Sequence, residues 1–298
     1  MTSKPDYRLI FALTGVAVVW GTTYLGIRVA VETIPPWFVA AIRQSIASLI
    51  LLVILLRKRE LQWMSWPYLG RQLLLSILMV VIANGMTTSA EKTIPSGLTS
   101  LLNALNPLVV FIGSVLVGLQ RPSLKGFFGV MVGFCGVAFI FREGISDLLD
   151  PNYKTGVLYL SIAISAWATG TIYSKKYVFP TSNIFLGLFY QFAFSAVIQF
   201  GLAFIFSGDT RLGDWSAISL MAVVYLAVFG SIVGYFCYHY ALKKVSATEV
   251  SILSYFNTVI ALFLGWLILD EVITFDIVIA TVLIIFGVFI TSYRREKI

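Results

Sequence analysis

Thr99, Asn103 and Asn106 recur at i, i+4 and i+7 in a stretch that holds no charge between Lys92 and Arg121. On a helix that spacing lines up one polar face. Carboxamides and hydroxyls both donate and accept hydrogen bonds, so such a face can hold a polar or zwitterionic solute without acid–base chemistry. A variant of the stretch returns from Lys243 to Glu271, at an offset of 151 that sets Asn106 on Asn257 and Gln120 on Glu271. There Ser251, Ser254, Tyr255 and Thr258 again trace one face of an apolar helix. Two readings of Asn103, Asn106 and Asn257 stay open: the lining of a wet cavity, or helix-to-helix hydrogen bonds worth roughly 0.6 kcal/mol on average. Both turn them into the bundle, because lipid offers a carboxamide no partner.

Other side chains carry similar alternatives. Trp20 and Trp167 lie in mid-helix, far from the interfacial aromatic belt that suits Trp63 and Trp66. They either pack in the core or offer ring faces to a solute, and Thr23 and Tyr24 share the face of Trp20. Asn84, followed by Thr87 and Thr88, is a further lining candidate. Tyr235, Tyr238 and His239 recur at i, i+3 and i+4. His239, the single histidine, has three readings: proton relay, contact at a cavity mouth, and interfacial anchor. Arg43 lies about two turns inside a helix, where a charge is a functional candidate by default. Pairing with Glu32 or Glu91 is the favoured reading for it, since its helix is expected at the periphery.

The elements that must position these groups are membrane helices. The chain is 59% hydrophobic and 12% charged, against roughly 45–50% and about 25% in soluble domains. Ten apolar runs approach or reach the roughly 20 residues that cross a bilayer: 9–30, 36–56, 71–90, 94–118, 124–141, 156–174, 183–206, 216–241, 246–268 and 275–293. Too little chain remains for a soluble catalytic or nucleic-acid-binding domain. In alternate loops, counted from the N-terminal tail, one side holds 15 Lys and Arg and the other 5, which puts both termini in the cytoplasm. The net charge of +7 therefore reports orientation rather than a nucleic-acid partner. Cys135 and Cys237, each inside an apolar run, suggest packing rather than a disulfide or metal site. The first run is longer than a signal core and lacks a cleavage site, so an uncleaved anchor is expected.

The repeat extends beyond the first pair of stretches. At an offset of 147 Trp20 matches Trp167 and Arg28 matches Lys175; at 148 Arg43 matches Gln191. Residues 1–148 and 149–298 thus read as two copies of one five-helix unit. Five is odd, so the second copy is inverted in the membrane, the usual design of secondary transporters with a midplane site.

Trp20-Gly21, Arg43 opening the apolar run of helix two, Asn106-Pro107, and Asp270-Glu271 after helix nine carry a family resemblance. Along its whole length the chain resembles the EamA-type branch of the drug/metabolite transporter superfamily. It departs at Gln120, where an acid is common, and at Thr258, where proline is usual. The resemblance implies a central cavity lined by helices one, three, four, six, eight and nine, and export of metabolites or amino acids across a bacterial inner membrane.

The expectation is an all-α integral membrane protein of ten transmembrane helices in two inverted five-helix repeats. Its expected substrate-binding residues are Trp20, Thr23, Tyr24, Asn84, Asn103, Asn106, Trp167, Tyr235, His239, Tyr255 and Asn257. Its partners are a small-molecule solute and the lipid bilayer, with no nucleic acid, no cofactor and no metal, and the chain acts as a monomer or weak homodimer. A lipophilic-cation exporter and a solute channel remain as alternatives. An intramembrane enzyme does not fit, for want of a nucleophile–base pair or clustered ligands at depth.

Overall fold

Proline, glycine and charge punctuate the apolar runs, and the runs between them wind into helical rods. The computed structural model describes residues 6–140, 151–177, 183–208 and 210–292. In it the rods are α1 (Tyr7–Ala30), α2 (Pro36–Arg57), α3 (Trp66–Ala90), α4 (Ser96–Leu116) and α5 (Leu124–Ile140). They continue as α6 (Pro151–Lys176), α7 (Ile184–Phe206), α8 (Ala217–Lys244), α9 (Ala247–Leu269) and α10 (Phe275–Ser292). Among the described residues there is no strand, and eight rods are long and apolar enough to span a membrane. The two shorter rods are α5 and α10, of 17 and 18 residues. The expected boundary at 148–149 and the expected ends of helices five and ten, at 141 and 293, lie outside the described residues.

Packing is pairwise. Rod α2 lies on α7, α5 on α10, α1 against α8 and α9, and α6 against α3 and α4. Exchanging each of the first five rods for the one five places on returns the same set of pairs. The α5–α10 crossing is a backbone contact. A Cβ on Gly287 would stand 2.4 Å from the Gly133 nitrogen and 2.6 Å from the Gly129 carbonyl oxygen.

Four rods depart from the unbroken helices that the sequence predicts. Residues Ser76–Ile82 of α3 and Leu226–Val233 of α8 wind as π-helix, a feature frequent at functional sites. Carbonyls in or beside these segments accept side chains from other rods. Tyr235 OH donates to Met79 O at 2.9 Å, Gln199 Nε2 to Val80 O at 3.0 Å, and Trp20 Nε1 to Gly230 O at 3.0 Å. Rod α4 is interrupted between Asn103 and Asn106, where Pro107 has no N–H to return to the Asn103 carbonyl. Rod α9 is interrupted at Ile252.

The ends of α4 and α9 cross over. Each finishes in a left-handed turn, at Gly118 (φ 76°) and Asp270 (φ 53°), which glycine and aspartate tolerate. Past the turn a side chain reaches the start of the other rod. Glu271 accepts from Ser96 N and Oγ, both at 2.7 Å, and from Gly97 N at 2.9 Å. The carboxylate thereby caps the N-terminus of α4. At the opposite corner Gln120 Oε1 accepts one bond, from Thr248 Oγ1 at 3.0 Å. Cations close two C-termini: Arg28 donates to the Glu91 carbonyl at the end of α3, and Lys175 to Leu242 O (2.9 Å) and Val245 O (2.7 Å) after α8.

Candidate functional site

In the middle of α1 the indole of Trp20 meets three other rings. Its centroid is 5.1 Å from Trp167 on α6, 5.6 Å from Tyr235 and 5.2 Å from Tyr238 on α8. The approach needs glycine: a Cβ on Gly234 would lie 2.1 Å from Trp20 Nε1. The polar ends of three of the rings are tied to the protein, through Trp20 Nε1 to Gly230 O, Tyr235 OH to Met79 O, and a 2.6 Å bond between Tyr238 OH and Thr171 Oγ1. What these rings offer inward is face and edge. Gly234→Ala is therefore expected to push Trp20 off its carbonyl and lower solute binding about tenfold or more, read by ligand-induced thermal shift; unchanged binding would remove the ring cluster from the site.

These rings form part of the wall of a central cavity of about 110 Å³, against roughly 10–15 Å³ for one water on the same kind of measure. Thr23, Tyr24 and Ile27 line it from α1, Asn84 and Thr87 from α3, and Asn103 and Asn106 from either side of the α4 interruption. Ser251, Ser254 and Asn257 line it from α9, and Arg43 from α2. Nine of the eleven sequence candidates meet here: Trp20, Thr23, Tyr24, Asn84, Asn103, Asn106, Trp167, Tyr235 and Asn257.

The carboxamides differ in what they leave free. Asn103 Nδ2 donates to Thr99 O of its own helix at 3.0 Å. Asn257, with its amide turned to satisfy both atoms, donates to Ala17 O at 2.9 Å and Leu253 O at 3.0 Å, so it stitches α9 to α1 at the cavity edge. Asn84 Oδ1, Asn106 Oδ1 and Ser254 Oγ are buried without a partner. An unmet buried acceptor costs about 1–3 kcal/mol, which a bound donor would relieve once the amide turns toward it.

Two candidates lie elsewhere. His239, one turn further along α8 than Tyr235, lines a separate cavity of about 50 Å³ with Tyr68, Gln72 and Gln191. One residue beyond Tyr238, it sits about 100° further round the helix. Tyr255 is buried among Leu98, Leu101, Leu102 and Leu160. Its stripe runs across Ile252, where α9 is interrupted and the helical phase is reset.

Arg43 differs from its expected role as a peripheral ion-paired group. It is 2% exposed and lines the cavity, and among the described residues no carboxylate forms a salt bridge with it. Its expected partner Glu91 is fully buried just past α3, with neither carboxylate oxygen bonded. Burial, and then the nearby Glu271 carboxylate, push the Glu91 carboxyl above its usual range, while Arg28 and Arg43 pull it down. Gly230 leaves room for the guanidinium: a Cβ there would lie 2.8 Å from Arg43 Nη2.

A helical membrane bundle around a polar, aromatic-walled central cavity is the architecture of a membrane transporter or channel. The EamA-like transporter family model matches residues 8–142 and again 154–293, and the chain belongs to that family. It is a transporter and not an enzyme. It is 31% identical over 258 residues to the uncharacterized inner membrane transporter YedA of Escherichia coli (strain K12), covering 86% of this chain and 81% of that one. It is 24% identical over 290 residues to the uncharacterized transporter YoaV of Bacillus subtilis (strain 168), covering 97% and 98%. A crystal structure of a protein with 16% identity is similar in fold, with a TM-score of 0.73 over 97% of this chain and 98% of its own.

Proposed function

We propose that the chain is a secondary transporter of ten membrane-spanning helices, built as two inverted copies, residues 1–148 and 149–298. It exports small organic solutes, foremost amino acids or related metabolites, by alternating access. Its setting is the bacterial cytoplasmic membrane, with both termini inside, in keeping with the inner-membrane relative YedA and the excess of basic residues on one side. One observation carries the reading: both members of the pairs Trp20/Trp167 and Asn106/Asn257 line a single cavity. A site drawn from matched positions of two halves is what alternating access between inverted copies requires. The two family matches, the π-segments in α3 and α8, and the crossed ends of α4 and α9 support the same reading. The aromatic wall alone would also suit a lipophilic cation, but Arg43 in the same cavity opposes one.

The test is solute counterflow in proteoliposomes, first screened by thermal shift of the purified protein with amino acids and lipophilic cations. Asn106→Ala is expected to lower counterflow about tenfold while leaving yield and melting temperature near wild type, because Asn106 holds no other helix. Asn257→Ala impairs both, since it also cuts the tie to Ala17. Wild-type counterflow in Asn106→Ala at equal protein level would sink the cavity assignment. Uptake without trans-stimulation would point to a channel.

A further inference from the structure

We propose that Arg43 is the residue that binds the solute's carboxylate, so that the cavity selects small carboxylate-bearing solutes with an apolar portion. This deepens the transporter reading above and rests on it. The guanidinium enters from α2 and reaches the cavity beside Gly230 of α8, which Thr23 of α1 also approaches. It is oriented through one edge only: Nε donates to Ser231 Oγ at 2.8 Å, and Ser231 Oγ donates to Gln44 Oε1 at 3.2 Å. Among the described residues the terminal Nη groups have no hydrogen-bond acceptor and no ion-pair partner.

A charge taken out of water with no counter-ion in contact carries a penalty of several kcal/mol; Glu91 acts on Arg43 only from beyond ion-pair distance. Two free Nη groups side by side in a fixed fork are the geometry that a carboxylate fills bidentately. Among the described residues no Asp or Glu lines the cavity. A solute's ammonium would therefore meet neutral acceptors, for which Asn84 Oδ1 and Asn106 Oδ1 stand without partners. Nearby, Trp20, Tyr235 and Tyr238 have their polar ends tied back and present hydrocarbon and ring surface. Arg43 and Trp20 are neighbours through one residue, since Trp20 Nε1 bonds the carbonyl of the Gly230 that Arg43 abuts. A molecule with a carboxylate at one end and an apolar side chain at the other fits both walls at once.

The experiment compares L-phenylalanine and L-leucine with their amides and with phenethylamine, by thermal shift and by counterflow, in wild type, Arg43→Lys and Arg43→Gln. Expected are saturable shifts in wild type with the acids, weaker by about 100-fold with the amides and the amine, as for truncating a buried charge pair. Arg43→Gln loses the preference for the acid. Arg43→Lys, which keeps the charge and loses the fork, is intermediate and guards against a variant that fails to fold. Equal response to acid and amide in wild type, or undiminished acid binding in folded Arg43→Gln, overturns the role of Arg43 and leaves the transporter reading standing. Response to tetraphenylphosphonium and to none of the acids overturns both this role and the amino-acid reading.

Discussion

Glu271→Ala lowers the melting temperature of the detergent-purified protein by roughly 5–10 °C. The carboxylate accepts three hydrogen bonds from the first turn of α4, and bonds to a charged acceptor are worth about 1.5–3 kcal/mol each. Glu271 is only half-buried, so solvent discounts the sum to about 2–4 kcal/mol, in the range of a strong helix cap. For a chain of this size each kcal/mol moves the midpoint by roughly 2–4 °C. Glu271→Gln keeps one acceptor and falls between the two. Gly97 and Gly265 seat the carboxylate closely: a Cβ on Gly265 would lie 2.4 Å from Oε2. An unchanged midpoint in Glu271→Ala would mean that this corner is held by the apolar contacts of α4 and α9 alone.

Gly287→Val costs more. The atoms nearest the new Cβ belong to the backbone of α5, at 2.4 Å and 2.6 Å, so no side chain can swing aside. Helices in lipid associate through close backbone packing at small residues, and here the added methyls have to part α10 from the rod it chiefly packs on. The expected result is a several-fold fall in monodisperse protein by fluorescence-detected size exclusion, with Gly287→Ala intermediate. Wild-type yield and monodispersity in Gly287→Val would show that the α5–α10 contact can open at little cost.

Much of the fold was legible because lipid is a severe solvent. Runs free of charge had to be helices, and polar groups inside them had to face protein or water, which is why Asn84, Asn103 and Asn106 could be picked out beside Trp20 and Trp167. Legibility ended where position depends on helical phase. Tyr238 and His239 are adjacent in sequence, but one lines the central cavity and the other a separate one. Tyr255 lies beyond an interruption that no proline or glycine announces. The side chains that bond carbonyls of the π-segments, Trp20, Tyr235 and Gln199, come from distant parts of the chain, so a local reading does not pair them. The place of its helix does not fix where Arg43 ends, because a long side chain beside Gly230 reaches the central cavity.

The crossed ends of α4 and α9 are alike in path and unlike in charge, which bears on the proposed cycle. Two copies that merely traded conformations behind identical corners would spend equal time facing each way. Here one corner is fastened by a carboxylate on three donors and the other by a neutral amide on one. A difference of about 1.4 kcal/mol between two states is a tenfold difference in their populations. For the proposed alternating-access cycle this asymmetry favours the state in which the Glu271 corner is closed.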